Sequence, residues 1–117
     1  MQFDHLAVFT DSESEADKFY KDLLGLEKKY TFRAPAVLMK KIFNLDKDFQ
    51  VIRYGRNNFD IEVFIDPDKK ASDGTIRHVG IKVDDRDRLF TNAEAMGYSV
   101  IKAQKTLAIS VKTRRGE

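Results

Sequence analysis

A chain of 117 residues, 42% apolar and 34% charged, is long enough for one hydrophobic core and too apolar for a disordered polymer. It has no cysteine, which excludes disulfides, thiolate metal sites and cysteine nucleophiles. A net charge of +2 is too balanced to point to nucleic acid, no run approaches the roughly 20 apolar residues of a membrane helix, and the N-terminus lacks a basic-then-apolar leader; a cytoplasmic protein with neither nucleic-acid nor membrane partner is expected.

Residues 3–10, rich in Phe, Leu and Val, predict a strand. Ser12-Glu13-Ser14-Glu15 has the form of a capping box, and Ala16, Phe19, Tyr20, Leu23 and Leu24 follow at helical spacing, so a helix starts at Ser12. Gly25 supplies the left-handed residue that ends it. A second strand is expected over 27–32, a short helix within 36–45, and two more strands over 49–54 and 59–66. The connection 55–58, Gly-Arg-Asn-Asn, has the chemistry of a hairpin turn. These elements make a first module, 1–66, and the polar stretch 67–75 reads as a linker.

The second module, 76–117, restarts with a strand over 76–83. Asp84, Asp85 or Asp87 can cap a helix carrying Leu89, Phe90, Ala93 and Met96, closed by Gly97, and strands are expected over 99–104 and 107–112. The order strand, helix, strands therefore occurs twice, the second time cut short.

The two histidines mark this repeat. His5 opens the apolar run of the first module's first strand and His78 that of the second module's first strand, 73 positions later, each followed by strand-forming residues and an Asp, while Gly25 and Gly97 close the two helices. Strands alternate faces, so Leu6 and Val8, or Val79, Ile81 and Val83, share the face turned to the helices. Each histidine then lies on the opposite face, two residues before a small one, Ala7 or Gly80. Glu62, between Ile61 and Val63, faces the same way if those neighbours face the helices. A carboxylate inside an aliphatic strand is unusual unless paired or bound to metal. Two imidazoles and a carboxylate suit a first-row divalent ion and leave positions open for water and substrate. The plainer alternatives are a structural histidine at each position and an exposed edge-strand glutamate.

Four stretches, Asp4-His5-Leu6-Ala7-Val8, Phe19-Tyr20-Lys21-Asp22-Leu23-Leu24-Gly25-Leu26, Phe59-Asp60-Ile61-Glu62-Val63-Phe64 and His78 through Asp85, resemble the vicinal oxygen chelate superfamily, which includes lactoylglutathione lyase (glyoxalase I) and extradiol dioxygenases. The resemblance implies an α+β fold of paired βαβββ modules forming a curved mixed sheet, the second module incomplete, within one domain over 1–117. It also implies a metalloenzyme that chelates adjacent oxygens of a small-molecule substrate, a lyase or isomerase of glyoxalase type. His5, Glu62 and His78 match three metal-ligand positions, a base from the missing last strand or Glu62 itself would move the proton, and the ion could be zinc, nickel, cobalt, manganese or iron. A fourth ligand, a glutamate about 73 residues after Glu62, would fall past Glu117. The turn-like Arg114-Arg115-Gly116 before Glu117 does not suit that role. A homodimer whose partner closes the cup is expected. An extradiol dioxygenase and a metal-free ligand-sequestering protein are the alternatives that the resemblance leaves open.

Overall fold

The computed structural model describes residues 1–69, 78–103 and 106–113, the side chains from residue 102 onward excepted. Most of the expected linker, the first two residues of the 76–83 strand and the turn at Arg114-Arg115-Gly116 lie outside them. The chain forms two compact units, Met1–Asp73 and Gly74–Glu117.

In the first unit, β1 (Leu6–Thr10) leads to α1 (Glu13–Ala16), which continues without a break as a wider, π-helical stretch over Asp17–Leu23. Ser12 caps the start, its hydroxyl accepting from the Glu15 amide at 3.2 Å. The widening comes at the C-terminal end, where the Leu24 amide donates to Phe19, five residues back, and the Leu26 amide donates to Tyr20. Gly25 at φ 74° makes that closure feasible. Ala16, Tyr20, Leu23 and Leu26 are consequently the buried residues of this segment.

Four strands then make one sheet. β2 (Glu27–Ala34), α2 (Ala36–Phe43), β3 (Phe49–Arg56) and β4 (Phe59–Ile65) follow, and the strand order is β1-β4-β3-β2. β1 runs parallel to β4, and the other two pairings are antiparallel. The hairpin between β3 and β4 turns on Asn57 and Asn58 alone, with Asn57 at φ 57°. Gly55 and Arg56, expected in the connection, belong to the strand. This tighter turn sets the register that places Arg53 opposite Glu62 and Gly55 opposite Asp60.

Alternation sorts the sheet into two faces. Ile52, Tyr54, Ile61 and Val63 pack under Ala16 and Tyr20, with Val8 joining them from β1. The other face is divided. At one end α2 lays Met39 over Phe49, Val51 and Ala34, with Phe64 against them; at the other end that face carries charged residues instead. The sequence placed the helices on a single face, and α2 departs from it because Phe49, Val51 and Phe64 give the second face an apolar end to cover.

Polar ties fasten the helix to the sheet. Lys28 donates to Glu13 at 2.6 Å and to Asp17 at 3.1 Å, Gln50 donates to Glu13 at 3.1 Å, and the Tyr54 hydroxyl donates to Asp17 at 2.7 Å. At the end of β4, Lys47 donates to Asp66 at 2.8 Å. Lys28 holds Glu13 below the ordinary carboxylate range. Burial pushes Asp17 and Asp66 up, but Tyr54 and Lys28 in one case, and Lys47 with the Asp68 amide in the other, outweigh it, so both end up lowered. Carboxyls that are more acidic in the folded than in the unfolded chain stabilise the fold above their unfolded values and lose that contribution as pH falls through their folded values. The urea midpoint is therefore expected to hold steady down to about pH 5 and to fall steadily below it. A midpoint flat to about pH 3 would show that these pairs contribute nothing.

In the second unit, α3 (Arg86–Ala95) begins at Asp85, whose carboxylate accepts from the Arg88 amide at 3.0 Å, and Gly97 at φ 91° follows its end. Phe90 and Ala93 are its buried residues. β5 (Tyr98–Ala103) and β6 (Thr106–Thr113) pair antiparallel as a two-stranded sheet. The strand expected over 76–83 is not formed in its described part: residues 78–83 have no regular structure, and Val79, Ile81 and Val83 are exposed. Alternating apolar residues mark a propensity, but a strand forms only where a neighbour accepts and donates its backbone hydrogen bonds. Among the described residues, no helix is long and apolar enough to cross a membrane.

Candidate functional site

Parallel pairing of β1 with β4 puts Ala7 beside Glu62 and brings His5, just before β1, to the same place. His5 Nε2 lies 3.4 Å from Glu62 Oε1. The other ring nitrogen, Nδ1, is 2.6 Å from Asp4 Oδ2. A carboxylate only accepts, so this contact requires a proton on Nδ1, and a neutral ring then presents its Nε2 lone pair to Glu62. Two electron-rich atoms facing each other at this distance call for a cation or a proton between them. Donors bound at about 2.1 Å to a tetrahedral ion stand about 3.4 Å apart, so the pair has the spacing of two ligands of one metal. A histidine oriented by a carboxylate on its far nitrogen is also how metal-binding imidazoles are commonly held.

Behind this pair is a cluster that reading the sequence missed. Arg53, in the middle of β3, has only 14% of its side chain exposed. Its Nε donates to Asp60 Oδ2 at 2.8 Å, its Nη2 reaches Asp4 Oδ2 at 3.3 Å, and its Nη1 lies 3.6 Å from Glu62 Oε2. Lys29, at the β-bulge in β2, donates to both Asp60 oxygens, at 2.9 and 3.0 Å. Lys29, then burial in the opposite sense, then Arg53 act on Asp60, and the net effect holds its carboxyl below the ordinary value of 3.8. Asp4 is likewise lowered, chiefly by its hydrogen bond to His5 and then by Arg53. A charged residue inside the aliphatic run Val51-Ile52-Arg53-Tyr54 was the available signal, the same one that singled out Glu62.

Beside the cluster opens a cleft of about 430 Å³, lined in part by Asp4, Lys29, Arg53, Asn57, Asn58 and Asp60. Tyr30 lies opposite Arg53 in the register, and its half-exposed ring is 6.1 Å from that of Phe32. The site face thus has a charged floor beside an aromatic rim.

His78 lies in the second unit, exposed, on the irregular backbone before α3. The first unit therefore brings together His5 and Glu62 as a pair of donors, and among the described residues no group of three or more His, Asp or Glu forms a complete ligand set.

The strand order β1-β4-β3-β2 with a helix after β1 is the βαβββ module that the resemblance to the vicinal oxygen chelate superfamily implied. The sequence profile of the Glyoxalase/Bleomycin resistance protein/Dioxygenase superfamily matches residues 4–111, and the chain belongs to that superfamily. Its fold is similar to that of a glyoxalase family protein from Bacillus cereus, at 11% identity and a TM-score of 0.63, covering 88% of this chain and 76% of that one. It is also similar to a glyoxalase family protein from Enterococcus faecalis, at 14% identity and a TM-score of 0.62, covering 98% and 91%. Comparison with curated proteins finds no match. At such identities the likeness concerns the fold.

Proposed function

We propose that this chain is a metal-dependent lyase or isomerase of glyoxalase type, acting on a small substrate with two adjacent oxygens and an acidic C–H beside a carbonyl. The spacing of 3.4 Å between His5 Nε2 and Glu62 Oε1 supports this reading most strongly. His5 and Glu62 are two of the donors, and His78 is the third on the strength of the sequence repeat alone. When bound, the divalent ion (zinc, nickel, cobalt, manganese or iron) supplies Lewis-acid polarisation of the substrate carbonyl. Glu62 takes up the proton removed beside that carbonyl, as a carboxylate within reach of the reacting carbon can. Asn57 and Asn58 offer hydrogen bonds to the polar parts of the substrate, and Tyr30 and Phe32 offer apolar surface to the rest. A homodimer in the cytoplasm belongs to the same reading.

One observation favours a second reading, a metal-free protein that sequesters a small ligand. Arg53 Nη1, 3.6 Å from Glu62, already opposes the charge of that carboxylate.

Titration of protein purified without an affinity tag separates the two. The metalloenzyme reading expects one cobalt or zinc ion per chain, and deuterium from solvent entering a hemithioacetal substrate only in the loaded protein. Failure to take up a stoichiometric ion would overturn it. His78→Ala is expected to weaken metal binding without lowering the melting temperature, because His78 is exposed and outside any regular element. Unchanged affinity and stoichiometry in that variant would remove His78 from the site.

A further inference from the structure

Arg53 is connected to both arms of the donor pair, and the sequence repeat gives it no role. One nitrogen of its guanidinium reaches the carboxylate that holds His5, another faces the carboxylate of Glu62, and the third is anchored on Asp60. We propose that Arg53 and Asp4 are positioning residues: together they hold the His5 ring, with its Nε2 turned to Glu62, and the Glu62 carboxylate in ligating geometry before any ion enters. The proposal rests on the metal reading of His5 and Glu62.

The opposing expectation is electrostatic. A guanidinium near a divalent ion repels it and competes for Glu62, so if charge were its main effect, removing Arg53 would tighten metal binding. The geometry points the other way. A planar fork hydrogen-bonded to Asp60 and Asp4 and paired with Glu62 at 3.6 Å restrains their relative positions, and the three carboxylates around the guanidinium offset the charge by which it would repel an ion. Lysine cannot substitute, since an ammonium is a single point on a flexible stem with no fork to span three partners.

Two measurements test this, one of which needs no metal. In the metal-free protein in mildly alkaline buffer, long-range proton–nitrogen NMR reports which ring nitrogen of His5 carries the proton. Only two histidines exist, and His78→Gln assigns the signals. The wild type is expected to show the Nδ1–H tautomer, and both Asp4→Ala and Arg53→Met to shift toward the Nε2–H form. A wild type already in the Nε2–H form, or an Arg53→Met ring unchanged from wild type, overturns the proposal. In the second measurement, Arg53→Met and Arg53→Lys are each expected to lower zinc affinity about 10- to 100-fold, the range typical of residues that orient a metal's ligands. Affinity unchanged or raised overturns the proposal while leaving the metal reading standing. A wild type that binds no zinc overturns the metal reading, and the proposal falls with it as a statement about metal; the tautomer measurement still decides whether Asp4 and Arg53 orient the ring. Misfolding does not confuse the result, because Lys29 still holds both oxygens of Asp60 in the Arg53 variants, and Asp4 is exposed.

Discussion

If the chain is the metalloenzyme proposed above, Glu62→Ala is expected to lower divalent-metal affinity by more than the roughly 10- to 100-fold that loss of an outer residue costs, because it would remove a direct donor. It should do so without unfolding the protein. Glu62 carries its charge on the polar end of the sheet face, while the core of that strand is made by Ile61 and Val63 on the other side. Arg53 keeps Asp60 and Asp4 as partners when Glu62 is gone. Glu62→Gln retains an oxygen donor without the charge and should give a smaller loss, while abolishing proton transfer. His5→Ala should behave like Glu62→Ala. Isothermal titration with zinc, beside thermal melting of each metal-free variant, checks all three. Wild-type affinity in both Glu62→Ala and His5→Ala would make the pair structural.

Gly55→Ala should be the most damaging single methyl group in the first unit. Gly55 lies inside β3 opposite Asp60, and a Cβ built on it overlaps the Asp60 carboxylate and comes within 3.0 Å of Lys29 Cε. Asp60 is 8% exposed and short, so it cannot swing clear without giving up Lys29 and Arg53. Overpacking and the loss of charge-assisted hydrogen bonds together are expected to cost about 2–4 kcal/mol. For a domain of this size that lowers the melting temperature by about 10–20 °C. Because Asp60 anchors Arg53, the same variant should also weaken zinc binding. A melting temperature within a few degrees of wild type would mean that Asp60 does not sit against Gly55.

What could be read from the sequence was whatever neighbouring residues decide among themselves. Ser12 and Asp85 cap helices because a side-chain oxygen a few residues away meets a free amide, and Gly25 and Gly97 close them because only glycine takes a positive φ without steric cost. Alternation on β4 was enough to turn Ile61 and Val63 toward the helix and Glu62 away, and the stretch from Phe19 to Leu26 was enough to point to the superfamily. The charged cluster was not legible in this way. Asp4 and Arg53 are 49 positions apart, and they meet only because β1 pairs with β4, β4 pairs with β3, and a two-residue turn at Asn57-Asn58 fixes the register. The bulge that brings Lys29 to Asp60 is likewise a property of β2 against β3, not of β2 alone. Residues 78–83 show the converse, a strand pattern without a strand over the described stretch, since backbone hydrogen bonds need a partner that composition cannot supply. Local chemistry thus determined most elements of the first unit and singled out His5 and Glu62, and strand pairing alone decided which charges surround them.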